Sequence, residues 1–288
     1  MLIPSLWLWL MCLDCANADH EGAAEAFLKG LAAHALDKPG HLIHTSGTGI
    51  LMFKDIESQI IGEASSKVFD DWDGIEEVIS IPDFAPHRLV DKIVLAGSTK
   101  HRSNVKTAII CPPCIYGKGR GPGNQRSIQI YDLAKAILSK KQGIQVGPGK
   151  TYWNNVHIRD LSDLYLKLVE AATTGAGNAF WNNQGYYFAE NGEHVWGEIS
   201  RKIASEAHRQ GHNPSNEVIS VTGQEADQLM AHSSFLWGGN SRASAIRARK
   251  LLGWTPKERS IEDEIPEVVS SEAKLLGIVK GHAAKVAG

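Results

Sequence analysis

Residues 41–52 read HLIHTSGTGILM, in which a short apolar segment precedes a cluster of hydroxyl-bearing residues and glycines. Leu42 and Ile43 indicate the end of a buried strand, and Thr45-Ser46-Gly47-Thr48-Gly49 place hydroxyls and flexible backbone directly after it. Because ligands of an open parallel α/β sheet bind beyond the carboxyl ends of its strands, this pattern predicts Ser46 at a binding site. The alternative is a plain Ser/Thr/Gly turn that starts the next segment.

The neighbouring segments complete a strand–helix–strand unit. An apolar run over residues 1–15 predicts a strand, and His20 to Leu36 predict a helix with one apolar face. Further along, Val105 to Cys111 is rich in apolar and β-branched residues, which is typical of a buried parallel strand. The chain is therefore predicted to be an α/β protein built on a parallel sheet.

Length and composition limit the partners of the chain. It has 288 residues, which is enough for one large α/β domain or for a domain with a smaller lobe. Its 30 basic and 32 acidic residues give a formal net charge of −2, so no strong field attracts nucleic acid or anionic lipid. We therefore expect a small-molecule substrate, and no nucleic-acid or membrane partner.

Two Cys-x-x-Cys pairs, Cys12/Cys15 and Cys111/Cys114, introduce a zinc site as an alternative. The pairs lie about a hundred residues apart, whereas the pairs of a zinc ribbon are separated by roughly 15–20 residues. Each pair also ends an apolar run that is typical of a strand. We therefore expect buried thiols and no metal site.

The first residues also have features of a secretory signal, because an apolar run precedes the small-x-small sequence Ala16-Asn17-Ala18. No basic residue precedes the run, however, and Asp14 interrupts it. The run is also too short to span a membrane. We therefore prefer a buried strand and expect a cytoplasmic protein.

The remaining chain alternates predicted helices and strands. Residues 53–84 are acidic and lack a steady period, so we expect a long lid or substrate loop with a short strand at Val78–Ile81. Pro86 is expected to start a helix over His87–Ser98, with Leu89 on its buried side and Lys92 in an apolar setting. The other expected elements are strands at Asn178–Trp181, Tyr186–Phe188 and Asn216–Thr222, and helices at Ile128–Lys141, from an Asp160 cap to Ala172, at Glu190–His208, at Ser241–Leu252 and at Ile261–Leu276.

Four segments, in the right order, resemble the extended short-chain dehydrogenase/reductase family of the NAD(P)-dependent epimerase/dehydratase type. They are Thr45-Ser46-Gly47-Thr48 at the serine-bearing strand end, Pro112-Pro113-Cys114-Ile115-Tyr116-Gly117 at R-P-x-x-V-Y-G, Val156-His157-Ile158-Arg159-Asp160-Leu161 at V-H-V-x-D-V/L, and Leu251-Leu252-Gly253-Trp254-Thr255-Pro256 at L-G-W-x-P. In the second segment Cys111 replaces the arginine. The resemblance extends over most of the chain and implies a Rossmann-like, doubly wound parallel sheet.

The resemblance implies NAD or NADP as cofactor, lying across the strand ends. The cofactor-binding residues that it implies are Asn17 and Ala18 on the adenosine side, and Thr45, Lys92, Pro112, Pro113 and Ile115 on the nicotinamide side. The implied catalytic residues are Ser46, Lys92 and His87. Residues 1–174 would form the remainder of the NAD(P)-binding domain, and residues 175–288 a smaller C-terminal α/β lobe, with some segments interleaved.

Two features of the family differ here. Its opening Gly-x-x-Gly-x-x-Gly segment holds the cofactor pyrophosphate and has no counterpart in this sequence, so we expect a chain truncated before the family's fourth strand. Its Tyr-x-x-x-Lys pair would place a tyrosine four residues before Lys92, where Arg88 stands. Arginine stays protonated and cannot act as a base, whereas the neighbouring His87 can titrate but points about 100° away around the helix.

The sequence therefore predicts an NAD(P)-dependent oxidoreductase with an atypical active site, acting on a small carbonyl or alcohol or on a substrate of the nucleotide-sugar type. One alternative is a non-catalytic dinucleotide-sensing or interaction protein with the same fold. Another is a secreted zinc or thiol protein. A sheet edge left open by missing strands also predicts a homodimer.

Overall fold

The computed structural model describes residues 11–34, 38–101, 104–174 and 179–279. Three parts of the sequence predictions lie outside these residues. They are residues 1–10 of the first apolar run, Leu36 at the end of the first expected helix, and Asn178 at the start of an expected strand.

Strands and helices alternate along the described chain. The strands are β1 (Met11–Asp14), β2 (Gly40–Thr45), β3 (Phe69–Asp70), β4 (Val105–Cys111), β5 (Cys114–Tyr116), β6 (Gly143–Val146), β7 (Tyr152–His157), β8 (Tyr186–Phe188), β9 (Glu193–Val195), β10 (Val218–Val221) and β11 (Ala243–Ser244). The α-helices are α1 (Glu21–His34), α2 (Phe53–Ser58), α3 (Ile75–Ile79), α4 (Arg88–Leu95), α5 (Gly97–Lys100), α6 (Gln129–Lys140), α7 (Ile158–Thr174), α8 (Trp196–Arg209), α9 (Gly223–Asp227), α10 (Ser233–Leu236), α11 (Ile246–Leu252) and α12 (Ile261–Leu275). Two 3₁₀ helices lie at Thr48–Met52 and Asn182–Gln184.

The central sheet is parallel, with the strand order β1-β2-β4-β8. Its register pairs His41 of β2 with Lys106 of β4, and Ile109 of β4 with Tyr186 of β8. Both β2 and β4 are buried along nearly their whole length, as expected for parallel strands that are covered by helices on both faces. The structure confirms the Rossmann-like α/β fold.

The two faces of the sheet are covered by different helices. Neighbouring residues of a strand point to opposite faces, and at the end of β2 the side chain of Ser46 contacts Asp91 of α4, whereas that of Thr45 contacts Tyr165 of α7. Helix α1 packs beside α4, and α11 packs beside α7. Ser46 therefore faces the α1/α4 layer, and Thr45 faces the α7/α11 layer.

A second set of elements begins where β4 ends. Pro112 and Pro113 lack the backbone N–H that a strand within a sheet would donate, so the chain leaves the central sheet at this point. It continues as β5, which pairs in parallel with β7, and β9 adds to β7 in the antiparallel direction. A second cluster of buried apolar residues packs among α6, α8 and α12.

The two apolar cores alternate along the sequence. The first core contains β1, β2, β4 and β8 and also residues 243–254, whereas the second contains residues 130–146 and 196–237. The division into residues 1–174 and 175–288, with some segments interleaved, stays a prediction.

Asp71 joins three distant segments. Its carboxylate accepts hydrogen bonds from the backbone N–H groups of Phe188, Ile246 and Arg247, at 2.8–2.9 Å. Burial raises the pKa of Asp71 to about 6, and these hydrogen bonds act in the opposite direction. A buried carboxylate with this many donors holds the start of α11 against β8.

The expected loop over residues 53–84 is wrong in its details. Helix α2 starts the segment, and Val78 lies in helix α3 rather than in a strand. Ile75, Val78 and Ile81 are all buried, and their spacing of three residues forms the apolar stripe of a helical turn. The β-branched residues at 78–81 had favoured a strand, but burial along this stripe decides the conformation.

The expected helix over His87–Ser98 divides into α4 and α5. Two predictions for its side chains are wrong. Leu89 is 46% exposed instead of buried, and Lys92 is exposed to solvent instead of surrounded by apolar residues. Val90, Val94 and Leu95 are buried as expected, and Arg88 and Asp91 are the buried charged residues of α4.

Three predicted elements have different limits in the structure. Ala179–Trp181 form no strand, and a 3₁₀ helix follows them. Helix α8 begins at Trp196, because residues 193–195 add to β7 as β9. Likewise α11 begins at Ile246, after β11. The strands β8 and β10 and the helices α6 and α12 agree with the sequence predictions.

The cysteines and the helices bear on the zinc and membrane alternatives. All four cysteines are free thiols, and Cys111 and Cys114 are buried. Among the described residues, no group of three or more His, Cys, Asp or Glu side chains could hold a metal ion. In the same part of the chain, no helix is both long and apolar enough to cross a membrane.

His41 makes the stability of this fold sensitive to acid. Burial and the nearby Lys106 lower its pKa to about 4, from an ordinary value of 6.5. As the pH falls from about 6.5 to 4, the unfolded chain therefore binds a proton that the folded chain does not, and stability is lost. We expect His41→Phe, which keeps a ring against Trp181, to remove up to about 3 kcal/mol of this loss.

The measurement is urea unfolding of both proteins between pH 4.5 and 7.5. The exposed His208 is the control position, because His208→Phe should keep the pH dependence of the wild type. Equal pH dependence in wild type and His41→Phe would contradict the assignment.

Candidate active site at the carboxyl ends of the parallel strands

The carboxyl ends of β1, β2 and β4 meet at one edge of the central sheet, because the three strands are parallel. Two backbone hydrogen bonds join the tip of β2 to the end of β4. Ser46 N–H donates to the Ile110 carbonyl at 2.9 Å, and Thr48 N–H donates to the Pro112 carbonyl at 3.0 Å. The tip of β2 is therefore fixed at the edge where ligands of this fold class bind.

Ser46 belongs to a buried polar network at this edge. Its Oγ donates to Asp91 Oδ2 at 3.1 Å, and the Tyr186 hydroxyl donates to the same oxygen at 2.9 Å. Ser46 is 5% exposed, and Asp91 is fully buried. The network joins β2, α4 and β8. A plain Ser/Thr/Gly turn would not need contacts between three distant elements.

The buried carboxyl of Asp91 is only partly compensated. Burial raises its pKa, and the hydrogen bonds from Ser46 and Tyr186 act in the opposite direction, as does the nearby His44. Within the described chain, Asp91 Oδ1 has no hydrogen-bond partner. His44 itself pairs with Asp14 of β1, at 2.9 Å between Nδ1 and Oδ2. Polar groups thus extend from Ser46 to the first strand.

His87 lies over the tip of β2. It caps the N-terminus of α4 with φ = 66°, a left-handed conformation that non-glycine residues rarely adopt. A Cβ placed on Gly47 would lie 3.1 Å from His87 Nε2, and one on Gly49 would lie 3.5 Å from it. The absence of side chains at these two glycines therefore lets the imidazole approach the strand end.

Asp19 holds this imidazole in place. Its Oδ1 accepts two hydrogen bonds from His87, one from the backbone N–H at 3.1 Å and one at Nδ1 at 2.8 Å. Asp19 comes from the turn after β1, where the Asn17 side chain accepts from the Asp19 N–H at 2.9 Å. The ring is thereby held through Nδ1, while Nε2 is directed at the strand tip.

Two side chains four residues apart at the start of α4, those of His87 and Asp91, contact the tip of β2. The Arg88 guanidinium donates to the carbonyls of Ile79 and Ile81 and holds α3 against α4. The Lys92 ammonium lies 2.8 Å from both carboxylate oxygens of Asp83 and is 46% exposed. Its role as a ribose ligand stays a prediction with no contact to support it.

The other residues predicted for the cofactor lie around the same edge. The Thr45 hydroxyl contacts Tyr165 of α7 at 2.5 Å, on the face of the sheet opposite Ser46. Pro112 and Pro113 are buried where β4 ends, and Ile115 is half-buried beyond them. Asn17 is exposed and Ala18 is half-buried in the turn after β1. Their contacts with a cofactor stay predictions.

His157 and Asp160 make structural contacts at the start of α7. His157 is 3% exposed and packs its ring edge-on against Tyr116. Asp160 lies in the first turn of α7, not at its cap, and accepts hydrogen bonds from the backbone of Lys257 and Glu258 at 2.9 and 3.1 Å. It therefore holds the segment before α12.

Sequence reasoning did not find four residues of this site: Asp19, Asp91, Tyr165 and Tyr186. A helical spacing of four residues counted from His87 would have identified Asp91. The contact between Asp19 and His87 joins positions 68 residues apart, and no local pattern signals it.

The chain is similar in sequence to a curated oxidase and in fold to solved nucleotide-sugar enzymes. No family model matches the chain. A curated protein, oxidase ucsJ from Acremonium sp., is 39% identical over 270 residues, covering 91% of this chain and 78% of its own length.

Solved structures share the fold at low sequence identity. The dTDP-glucose 4,6-dehydratase of Bacillus anthracis, solved with NAD, is 15% identical with a TM-score of 0.59, and the match covers 92% of this chain and 73% of that one. The UDP-glucose 4-epimerase of Thermotoga maritima, solved with UDP-glucose, is 13% identical with a TM-score of 0.56, covering 88% and 69%. These matches show that the chain shares the fold of these two enzymes.

The position of Lys92 leads to a test of its expected role. Because its ammonium is bound to Asp83 on the exposed side of α4, we expect Lys92→Met to change the Kd for NADH or NADPH less than twofold. Fluorescence titration of the dinucleotide measures this. Lys100→Met, at an exposed lysine of the neighbouring helix α5, is the matched control. A tenfold or larger increase in Kd for Lys92→Met alone would restore Lys92 as the ribose ligand.

Proposed function

Because the chain belongs to the extended short-chain dehydrogenase/reductase family of the NAD(P)-dependent epimerase/dehydratase type, we propose that it is a nicotinamide-dependent oxidoreductase of a small alcohol or carbonyl compound. A substrate of the nucleotide-sugar type is included in this class. The relative that is 39% identical is named an oxidase, which supports a redox reaction. A structure of the same fold solved with NAD supports the cofactor.

The observation that carries this proposal is that the Ser46 hydroxyl and the His87 imidazole both lie at the tip of β2. A hydroxyl can bind a substrate oxygen there, and an imidazole can move a proton near neutral pH. Asp19 holds the imidazole through Nδ1 and leaves Nε2 toward the tip. His87 thus supplies an acid/base group where the family uses tyrosine.

The residues present fit the nicotinamide end of the cofactor. Gly47 and Gly49 leave the strand tip without side chains, since a Cβ there would approach His87. The residues that we propose to hold the dinucleotide are Thr45, Pro112, Pro113 and Ile115 on the nicotinamide side, and Asn17 and Ala18 on the adenosine side. When bound, the nicotinamide ring supplies the donor or acceptor for a hydride. The choice between NAD and NADP stays open.

In the proposed reaction, the side chains of the protein bind the substrate oxygen and transfer one proton. Ser46 binds the reacting oxygen of the substrate, and His87 Nε2 accepts or returns the proton of that oxygen. Asp19 stabilises the positive charge that His87 gains. Asp91 stays buried beneath Ser46 and fixes the direction of the serine hydroxyl.

A non-catalytic dinucleotide sensor is the second candidate. It is favoured by the missing glycine-rich segment and by the absence of a tyrosine four residues before Lys92. A protein of this kind would bind dinucleotide at the same edge without turnover. With either function, we expect a homodimer and a cytoplasmic location.

Dinucleotide binding is the first test of the proposal. At about 100 times its Kd, a ligand of the folded state stabilises it by about 2.7 kcal/mol, which corresponds to a rise of about 5 °C in Tm for a chain of this size. We expect such a rise with NADH or NADPH in a thermal-shift measurement. An unchanged Tm with both dinucleotides at millimolar concentration would refute the cofactor.

Turnover of a substrate found by screening alcohols and carbonyl compounds is the second test. We expect Ser46→Ala to lower kcat at least tenfold. Tm should also fall by a few degrees, because the buried Asp91 carboxyl loses one of its two hydrogen-bond donors. Ser200→Ala is the control, since Ser200 is equally buried but donates to the Ile144 carbonyl in the second core. Equal kcat in wild type and Ser46→Ala would remove Ser46 from the mechanism, and dinucleotide binding without any turnover would favour the sensor.

A further inference from the structure

We propose that a cavity at the carboxyl ends of β5 and β7 is a second ligand site, which binds a small molecule through a phosphate group. The cavity has a volume of about 480 Å³, and four cationic side chains line it, those of Lys118, Arg159, Lys257 and Arg259. Pockets for small molecules commonly measure roughly 300–1,000 Å³. The size of the cavity and the charge of its lining both fit a small anion.

The cavity is separate from the candidate active site. The tip of β2 contacts the chain at Pro112, before β5 begins, because Thr48 N–H donates to the Pro112 carbonyl. Lys118 and Arg159, in contrast, follow the last residues of β5 and β7. The three residues of β5, at about 3.3 Å each, therefore lie between the two places. The inference goes beyond the proposed function and does not depend on it.

One of the two glutamates that line the cavity is compensated within the fold. Glu264 is 2% exposed, and its Oε1 accepts a hydrogen bond from Arg259 Nε at 2.6 Å. Nε2 of His157 lies 3.4 Å from the same oxygen. Since His157 Nδ1 accepts from the Arg159 backbone N–H, the neutral ring carries its proton on Nε2, toward Glu264. Arg259 is thus fixed through Nε, and its terminal nitrogens remain for a ligand.

The other cations outnumber the remaining carboxylate. Glu258 lies 3.6 Å from Arg159 Nη1, a long contact between partly exposed side chains that contributes little. Within the described part of the chain, neither Lys118 nor Lys257 forms a salt bridge. The cavity therefore has about two uncompensated positive charges, although the whole chain has a formal net charge of −2. A phosphate monoester matches this excess, because it carries about −1.5 to −2 at pH 7.

Hydrogen bonds hold the backbone that carries these cations. The Asp160 carboxylate accepts from the N–H groups of residues 257 and 258 at 2.9 and 3.1 Å. The Tyr116 hydroxyl donates to the Arg259 carbonyl at 2.7 Å. The segment before α12 is thereby tied to β5 and α7. A ligand that meets cations on a fixed backbone loses less free energy in ordering them.

The arrangement favours phosphate on a small molecule. The planar guanidinium groups of Arg159 and Arg259 present paired N–H donors, which match the oxygens of a phosphate. A neighbouring cavity of about 500 Å³ shares Arg159 and Lys257 and adds Arg120 and Lys167. The rest of the bound molecule can extend into this second cavity.

Binding is tested first with two probes of similar charge, glycerol 3-phosphate and malonate. Each is titrated into ¹⁵N-labelled full-length protein at pH 8 without dinucleotide. We expect glycerol 3-phosphate to give saturable amide shifts at residues 118–120, 157–160 and 257–259, and to bind at least threefold more tightly than malonate. No saturation, or the largest shifts at residues 45–49, would overturn the site. Equal or tighter binding of malonate would overturn the phosphate class.

Two double variants test the lysines by calorimetric titration of glycerol 3-phosphate. We expect Lys118→Gln/Lys257→Gln to raise Kd at least tenfold, because both uncompensated charges are removed. Lys118→Arg/Lys257→Arg keeps both charges and should stay within threefold of the wild type. The matched control is Lys100→Gln/Lys140→Gln, at exposed lysines of α5 and α6. An unchanged Kd in the first variant, or an equal loss in the control, would contradict the assignment.

Two further outcomes identify the source of the phosphate and the independence of the site. Phosphatidylcholine vesicles with phosphatidic acid present the same group on a lipid. Their co-sedimentation with the protein, without binding of glycerol 3-phosphate, would overturn the small-molecule class. The thermal shift with NADH or NADPH is measured separately. Binding of glycerol 3-phosphate at residues 118–120 and 257–259, without any such thermal shift, would refute the proposed cofactor and support this second site.

Discussion

The site depends on the buried carboxyl of Asp91. A carboxyl group taken out of water must be compensated by hydrogen bonds, and here the compensation comes from two hydroxyls, those of Ser46 and Tyr186. These hydroxyls belong to β2 and β8, which are separated in the sheet by β4. One side chain of α4 therefore fixes the position of this helix relative to the sheet. It also fixes the direction of the serine hydroxyl at the strand tip.

The position of α4 in turn places His87. The helix begins directly after this residue, whose left-handed backbone lets the imidazole reach back over Gly47. Strain of this kind persists where the surroundings hold it, and Asp19 supplies two hydrogen bonds for that purpose. Charged and hydroxyl groups from β1, β2 and α4 thus meet at one point. At this edge of the sheet, a histidine is held by the Asp19 carboxylate and a serine by the Asp91 carboxyl.

Part of this arrangement could be predicted from the sequence, and part could not. The strand Val105–Cys111 and the hydroxyls after Ile43 follow from local composition. The fold and the position of Ser46 at a strand end could therefore be predicted. The burial of Asp91 and the exposure of Lys92 could not be predicted, because neighbouring residues on a helix differ by about 100° in direction and local composition does not fix which of the two faces the sheet. The strand expected at Val78–Ile81 was wrong because β-branched residues also fit a buried helical turn. Asp19 requires the tertiary fold, since 68 residues separate it from His87.

The central claim is that a nicotinamide dinucleotide binds at the tip of β2 beside Ser46 and His87. The most direct measurement is a titration of ¹⁵N-labelled protein with NADH, followed through the backbone amide signals. We expect the largest shifts at residues 45–49 and at Asp19 and His87. Shifts confined to other parts of the chain, such as the glycines at 147 and 149, or no shifts at all, would contradict it.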